Sequence, residues 1–131
     1  MNLSQAIHIL GGNFAKCKVK QNRGYSDRKD GGLSISFHYT KMYGKNIWWT
    51  SESVLIADSF NYTIIALQSY GLLVLPRKVL ISYWEELNVS YLKSGRRNIR
   101  IKEENGNIYL YNSKDQNDVD VTQYLRQCEV K

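Results

Sequence analysis

The stretch NIRIKEENGNIYLYN, Asn98 to Asn112, constrains the fold of this chain more than any other. Asn105-Gly106 is the residue pair favoured by a two-residue type I′ turn, whose two central positions both need φ above zero. Placing the turn there sets the register of the strands on either side. Lys102 then opposes Tyr109, Arg100 opposes Tyr111, and Ile101 opposes Leu110. Successive side chains on a strand point to opposite faces. One face of the hairpin is therefore Ile99, Ile101, Ile108 and Leu110, and the other is Arg100, Lys102, Tyr109 and Tyr111. The rest of the chain must supply a core for the first face. The second is a cation-aromatic surface.

The remaining segments read as further strands and short helices. Leu3, Ala6, Ile7 and Leu10 recur at helical spacing, with Asn2 or Ser4 as the cap and Gly11-Gly12 as the stop. Leu33 to Tyr39 alternates, with Leu33, Ile35, Phe37 and Tyr39 against Ser34, Ser36 and His38, which predicts a half-buried strand. The link KMYGKN reads as a turn, and IWWT as a second strand pairing with the first in a hairpin. Ser51 or Ser53 is placed to cap a short helix through Val54, Leu55 and Ala57. NYTIIALQ and LLVLP are near-continuously apolar, as strands buried on both faces are. Pro76 opens a helix whose Val79, Leu80, Tyr83, Trp84 and Leu87 face inward. Near the end, Asp120 and Gln123 match a capping box, with Val119 and Tyr124 as its hydrophobic staple, which predicts a last short helix.

The expected architecture is α+β in one domain over residues 1–131, or a recognition domain cut from a longer protein. It is a curved, mostly antiparallel sheet or partial β-barrel with two or three short helices. A chain of 131 residues is ample for one core. No run of about 18 apolar residues occurs, and no basic segment precedes the first apolar stretch. Neither a membrane span nor a secretory signal is expected. Cys17 and Cys128, far apart and outside any C-x-x-C pattern, are expected as free thiols in a reducing cytoplasm. With His8 and His38 they do not make a metal-ligand spacing, so no metal site or cofactor is expected.

Charge points to a partner. The net charge is +6. Residues 1–50 carry eight Lys/Arg against two Asp, whereas residues 103–131 carry three against six acidic groups. A basic excess gathered at one end of a chain favours a polyanion, nucleic acid above all. The candidate phosphate contacts are Lys16, Lys18, Lys20, Arg23, Arg28 and Lys29. The three lysines alternate as on one edge of a strand, and the other three lie in the glycine-rich stretch NRGYSDRKDGG. Lys edge strands also serve simply to discourage aggregation. Arg96, Arg97, Arg100 and Lys102 form a second basic set, interleaved with Tyr109 and Tyr111.

The adjacent Trp48 and Trp49, close to Lys45, sharpen the question. On a strand one of them enters the core and the other faces out. An outward indole amid polar and basic groups is what stacking on a base or a sugar needs.

Catalysis has little to build on. There is no phosphate-binding glycine loop. A PD-(D/E)xK-type nuclease needs two or three carboxylates around a metal such as Mg²⁺ and an adjacent lysine. Asp58 stands where the first carboxylate would fall, but Leu75 or Pro76 occupies the next acidic position. His38 beside Ser36 reads as a structural hydrogen-bonder, and Glu85-Glu86 as a solvated helix face.

The segments YTIIALQSYGLLVLPRKVL and NIRIKEENGNIYLYNSKDQNDVDVTQYL resemble a pattern in prokaryotic restriction-system proteins. There an aromatic-rich strand leads to an apolar strand ending in proline, then a helix, a hairpin IxIxxxxGxIYL and a final D[VI]TxYL. The resemblance spans about residues 47–125. It implies a DNA-recognition or nuclease-associated module of a restriction or phage-defence system, some of which adopt a pseudobarrel and others of which sense modified bases. In such readers aromatic residues flank a flipped base. Trp48 or Trp49, with Tyr39 and Tyr43 near, would take that role. The chain departs from the nuclease pattern in lacking an acidic-x-Lys motif. The expected function is thus double-stranded DNA binding, with a metal-dependent or degenerate nuclease using Asp58 as one alternative. A protein-interaction subunit or phage or plasmid accessory protein is the other. A homodimer or a larger restriction complex is the further partner expectation.

Overall fold

A computed structural model describes residues 1–114 and 116–131. The first helix, α1 (Leu3–Leu10), starts where its cap dictates. The Asn2 side chain accepts from the Gln5 N–H at 2.9 Å, and the Gln5 side chain accepts from the Asn2 N–H at 2.9 Å. This reciprocal pair satisfies two donors that a helix start leaves unmet. Gly11, at φ 66°, ends the helix in a conformation that L side chains rarely adopt. A 3₁₀ turn (Gly12–Lys16) follows, then the strands β1 (Lys18–Lys20), β2 (Arg23–Tyr25), β3 (Ser34–Thr40), β4 (Met42–Gly44) and β5 (Ile47–Ser53). The helix α2 (Val54–Ser59) is capped by the Ser53 hydroxyl. It leads to β6 (Tyr62–Leu67), β7 (Gly71–Pro76) and the helix α3 (Arg77–Glu86). The chain continues through β8 (Arg96–Glu104), β9 (Asn107–Tyr111), β10 (Val119–Asp120) and β11 (Leu125–Gln127).

The fold is α+β, with the strands in two mostly antiparallel sheets that do not close into a barrel. A six-stranded sheet runs β1-β2-β3-β6-β7-β11, and a five-stranded sheet runs β10-β9-β8-β5-β4. The IWWT strand does not form a hairpin with β3. It pairs with β8 and β4 in the five-stranded sheet, while β3 pairs with β2 and, in parallel, with β6. A parallel pair requires a crossover, and β4, β5 and α2 are that crossover. The segment that links two strands of one sheet therefore supplies two strands of the other.

The faces of the six-stranded sheet separate two cores. On one side Ile35, Phe37, Ile64, Ala66 and Leu72 pack with Leu3, Ala6 and Ile7 of α1, together with Val130. On the other, Ile65, Leu67, Leu73 and Leu75 pack with Leu80, Tyr83 and Trp84 of α3. The same core takes in the inner face of the second sheet, including Trp48, Ile99, Ile101, Ile108 and Leu110. The four aliphatic residues of the β8–β9 hairpin are wholly buried, and its pairing is the one the Asn105-Gly106 turn requires. Those two turn residues have φ of 53° and 86°.

No α-helix forms over the residues after Asp120. The Asp120 carboxylate accepts from the Thr122 N–H at 2.9 Å and the Thr122 hydroxyl at 2.6 Å, which closes a tight turn. A single 3₁₀ turn (Thr122–Tyr124) follows, and β11 then pairs with the edge of β7. Cys17 and Cys128 are free thiols. No helix among the described residues is long and apolar enough to cross a membrane.

Candidate nucleic-acid interface

The outer face of the five-stranded sheet is set by strand alternation. Trp48 points inward, wholly buried, and its indole N–H donates to the Gln68 carbonyl at 3.0 Å. Trp49 points outward and is 47% exposed. Cross-strand partners share a face, and the register puts Arg100 beside Trp49 and Tyr111 beside Arg100. One step along, Ile47 lies beside Lys102 and Lys102 beside Tyr109. Tyr43, on the edge strand β4, meets Trp49 edge to face with ring centroids 6.0 Å apart. Tyr43, Ile47, Trp49, Arg100 and Tyr111 line a shallow cleft of about 230 Å³. A neighbouring cleft shares Ile47, Arg100 and Tyr111 and continues over Lys102, Asn112, Gln116 and Asp118.

The cleft is held from behind. The Trp49 indole N–H donates to the Asn98 side chain at 2.9 Å, so an exposed aromatic ring is kept in one orientation. The Tyr83 hydroxyl, from α3, donates to the Tyr111 carbonyl at 2.7 Å and accepts from the Arg100 N–H at 3.3 Å. Burial pushes that phenol up to about 12. It therefore stays a neutral donor at ordinary pH, pinning the backbone at both cleft residues.

The cations of this face are not equivalent. Lys102 is ion-paired to Asp118 at 2.8 Å and to Glu104 at 3.2 Å, and its ammonium lies 5.2 Å from the Tyr111 ring centroid. Asp118, its nearer partner, and then Glu104 raise its pKa against the opposing effect of burial. Arg100 has no carboxylate within ion-pair distance among the described residues, and one guanidinium nitrogen donates to the Asn112 carbonyl at 3.4 Å. Arg96 is turned onto Ser51, donating to its hydroxyl at 2.9 Å and also to its carbonyl.

Arg97 leaves the surface set. It faces inward and is only 5% exposed, because its position on β8 has the parity of Ile99 and Ile101. Its guanidinium stacks against Trp84 and Tyr91, with the carbon 5.4 and 4.4 Å from the ring centroids. It donates to the carbonyls of Val89 and Trp84 and pairs with Glu85 at 3.1 Å. Its role is to close the end of α3. Trp48 leaves the surface set for the same reason of parity. Tyr39 lies on the α1 side of the other sheet, its hydroxyl donating to the Lys131 carbonyl at 2.9 Å, so it does not flank the tryptophans. Tyr109 stays on the outer face, half-buried, and Lys45 is exposed in the turn after β4.

The N-terminal cations form a separate surface on the six-stranded sheet. Lys18, Lys20, Arg23 and Tyr25 share one exposed face of the β1–β2 hairpin. Lys16 lies in the preceding 3₁₀ turn, outside the strand that would align it with them. Arg28 and Lys29 are exposed in another turn (Arg28–Asp30). Lys16 pairs loosely with Asp30 at 4.0 Å and Lys18 with Asp27 at 3.7 Å. These contacts are solvent-exposed and hold the lysines weakly. Arg23 is poised over the Phe60 ring at 5.8 Å.

Asp58 is exposed on α2. Among the described residues no three His, Cys, Asp or Glu gather to hold a metal ion. A further depression of about 620 Å³ lies between α1 and residues 129–131 and is lined almost wholly by exposed side chains such as Gln5, His8 and Glu129.

One residue that matters here was not singled out in the sequence. Asn98 shares the outward parity of Arg100, so its place was readable from the hairpin. Compared with known proteins, the chain matches no family model, no curated protein and no solved structure.

Proposed function

We propose that this chain is a DNA-binding protein whose base-contacting surface is the outer face of the five-stranded sheet. One observation carries the reading. Trp49 is half exposed yet fixed by Asn98, beside Arg100 and between Tyr43 and Tyr111. Exposing an indole forgoes the free energy of burying it. Anchoring it as well prepares a flat aromatic surface before any ligand arrives, and preorganisation of that kind lowers the entropic cost of binding. The β1–β2 hairpin and its loop add phosphate contacts through Lys18, Lys20, Arg23, Arg28 and Lys29. The resemblance over residues 47–125 supports a prokaryotic restriction or phage-defence setting for this activity.

Binding to labelled DNA, measured by anisotropy across a salt series starting near 50 mM, tests the reading. Affinity should fall steeply with salt, because each neutralised phosphate releases counterion. The double variant Lys20→Gln, Arg23→Gln should flatten the slope of log affinity against log salt by about 1–2. Undetectable binding at about 50 mM salt, or binding indifferent to salt, overturns it.

A further inference from the structure

We infer that the Trp49 face takes unpaired nucleotides, one base lying on the indole and the adjoining phosphate at Arg100. The inference rests on the DNA-binding reading above and says which form of DNA the face accepts.

Shape argues first. Five strands spaced about 4.8 Å apart make a face roughly 19 Å across. The major groove of a duplex is about 12 Å wide. The face is too broad to enter it, so against a paired duplex it would meet only the sugar-phosphate rim. A rim contact makes no use of Trp49, Tyr43 or Tyr111. An aromatic ring gains its stacking energy from the flat face of a base, and paired bases keep those faces inside the helical stack.

Charge argues the same way. Lys102 is neutralised by Asp118 and Glu104, and Arg96 is directed at Ser51. That leaves Arg100 as the cation lining the aromatic cleft. One guanidinium suits one phosphate. A duplex backbone carries a charge about every 1.7 Å and calls for several cations in a row. The aromatic cleft is thus built for stacking, with charge in a supporting part. Arg100 also stands where the two clefts join. A strand crossing that point would lay one base toward Trp49 and carry its backbone toward Asn112 and Lys102.

An unpaired base has two sources, a single strand or a nucleotide turned out of a duplex. Both present the same chemistry, and one titration separates them. Trp48 and Trp84 are wholly buried, so quenching of tryptophan emission by added DNA reports Trp49. The full chain is titrated at about 50 mM salt with a single-stranded oligonucleotide, its fully paired duplex, and that duplex carrying one bulged nucleotide. The single strand should quench and should bind at least about tenfold tighter than the paired duplex. Quenching by the bulged duplex as well assigns an extruded base, and quenching by the single strand alone assigns a single-stranded ligand. Trp49→Ala should cost about tenfold against the unpaired ligand and nothing against the paired duplex. Its urea midpoint should stay close to that of the wild type, far above the denaturant-free titration, which shows that the loss is not one of folding. Paired duplex bound as tightly as single strand without quenching, or Trp49→Ala binding single strand as the wild type does, overturns the inference and leaves DNA binding standing. Failure of all three DNAs to bind overturns the DNA-binding reading too.

Discussion

Glu52 and His38 meet between the two sheets, with the carboxylate Oε2 2.6 Å from the imidazole Nε2. The Ser36 hydroxyl donates to the same oxygen at 2.6 Å, and the Ser53 N–H donates to the other at 2.7 Å. Glu52 is 1% exposed, so the fold keeps a carboxylate where water does not reach it. Burial alone would push that carboxyl up. The hydrogen bond and charge of His38, with the Ser36 and Ser53 bonds, more than offset burial and hold it below the ordinary glutamate value. A depressed pKa favours folding above the unfolded value, about 4.3, and the benefit is lost as pH falls through the lower folded value. The wild type should therefore lose stability below about pH 4.3. In Glu52→Gln that component should be missing from urea midpoints measured between pH 7 and 3. Glu52→Ala strands Ser36 and His38 and should cost on the order of 3 kcal/mol at neutral pH.

The two neighbouring tryptophans should behave as opposites. Trp48→Ala removes a wholly buried indole and orphans the Gln68 carbonyl. Chemical denaturation should show a loss of about 3–5 kcal/mol. Trp49→Ala removes an exposed ring and should cost under about 1 kcal/mol. Acrylamide should quench a substantial part of the wild-type emission and almost none of the Trp49→Ala emission. Strong residual quenching in that variant would mean that Trp48 or Trp84 is reachable by solvent.

Arg97 should matter to folding and hardly at all to ligand charge. It fills a slot between the Trp84 and Tyr91 rings and satisfies two carbonyls at the end of α3. Arg97→Ala should destabilise by on the order of 3 kcal/mol. Arg97→Lys should recover little, because an ammonium cannot reproduce the flat fork of donors. The salt slope of DNA binding, measured on the folded fraction, should not change in either variant. A reduced slope would return Arg97 to the phosphate-contacting set.

Gly71 sits where β7 runs tight against the backbone of β11. A Cβ added there would collide with the Arg126 carbonyl, which is backbone and cannot rotate away. Glycine within a strand often marks such an approach. Gly71→Ala should cost on the order of 2 kcal/mol. Amide exchange should accelerate over Leu125–Gln127 before it does in β8 or β9, and uniform acceleration would contradict this.

Local features of the fold were open to reading in the chain, and sheet membership was not. The β8–β9 register follows from Asn105-Gly106 and strand alternation alone, and the chain narrows the α1 and α2 caps to Asn2 or Ser4 and to Ser51 or Ser53, of which Asn2 and Ser53 serve. Each depends on residues a few positions apart. The partner of β3 depends on β6, across an intervening crossover, and no local pattern distinguishes that parallel partner from the nearby IWWT strand. The last segment misled for a related reason. Asp120 has the chemistry of a helix cap, but Thr122 satisfies it at once, and the open edge of β7 offers Leu125–Gln127 a ladder that outcompetes a single helical turn. At the site, the cation-aromatic face of the hairpin was readable, whereas the outward indole became Trp49 only when β5 joined β8. Lys102 lies on the face expected of it but its ion pair with Asp118 was not readable, whereas Arg97 was misplaced even though its parity with Ile99 and Ile101 turns it inward.

The α1 core has a bearing on the order in which the molecule is made. Leu3, Ala6 and Ile7 share that core with Val130, whose carbonyl also accepts from the Ser69 N–H at 2.6 Å. A ribosome that has already released the β8–β9 hairpin has not yet delivered Val130. Until it does, Phe37, Ile64 and Leu72 lack one of the residues that cover them. The helix α1 must therefore wait for Val130, and over that interval the nascent chain offers chaperones an apolar surface that the folded protein conceals.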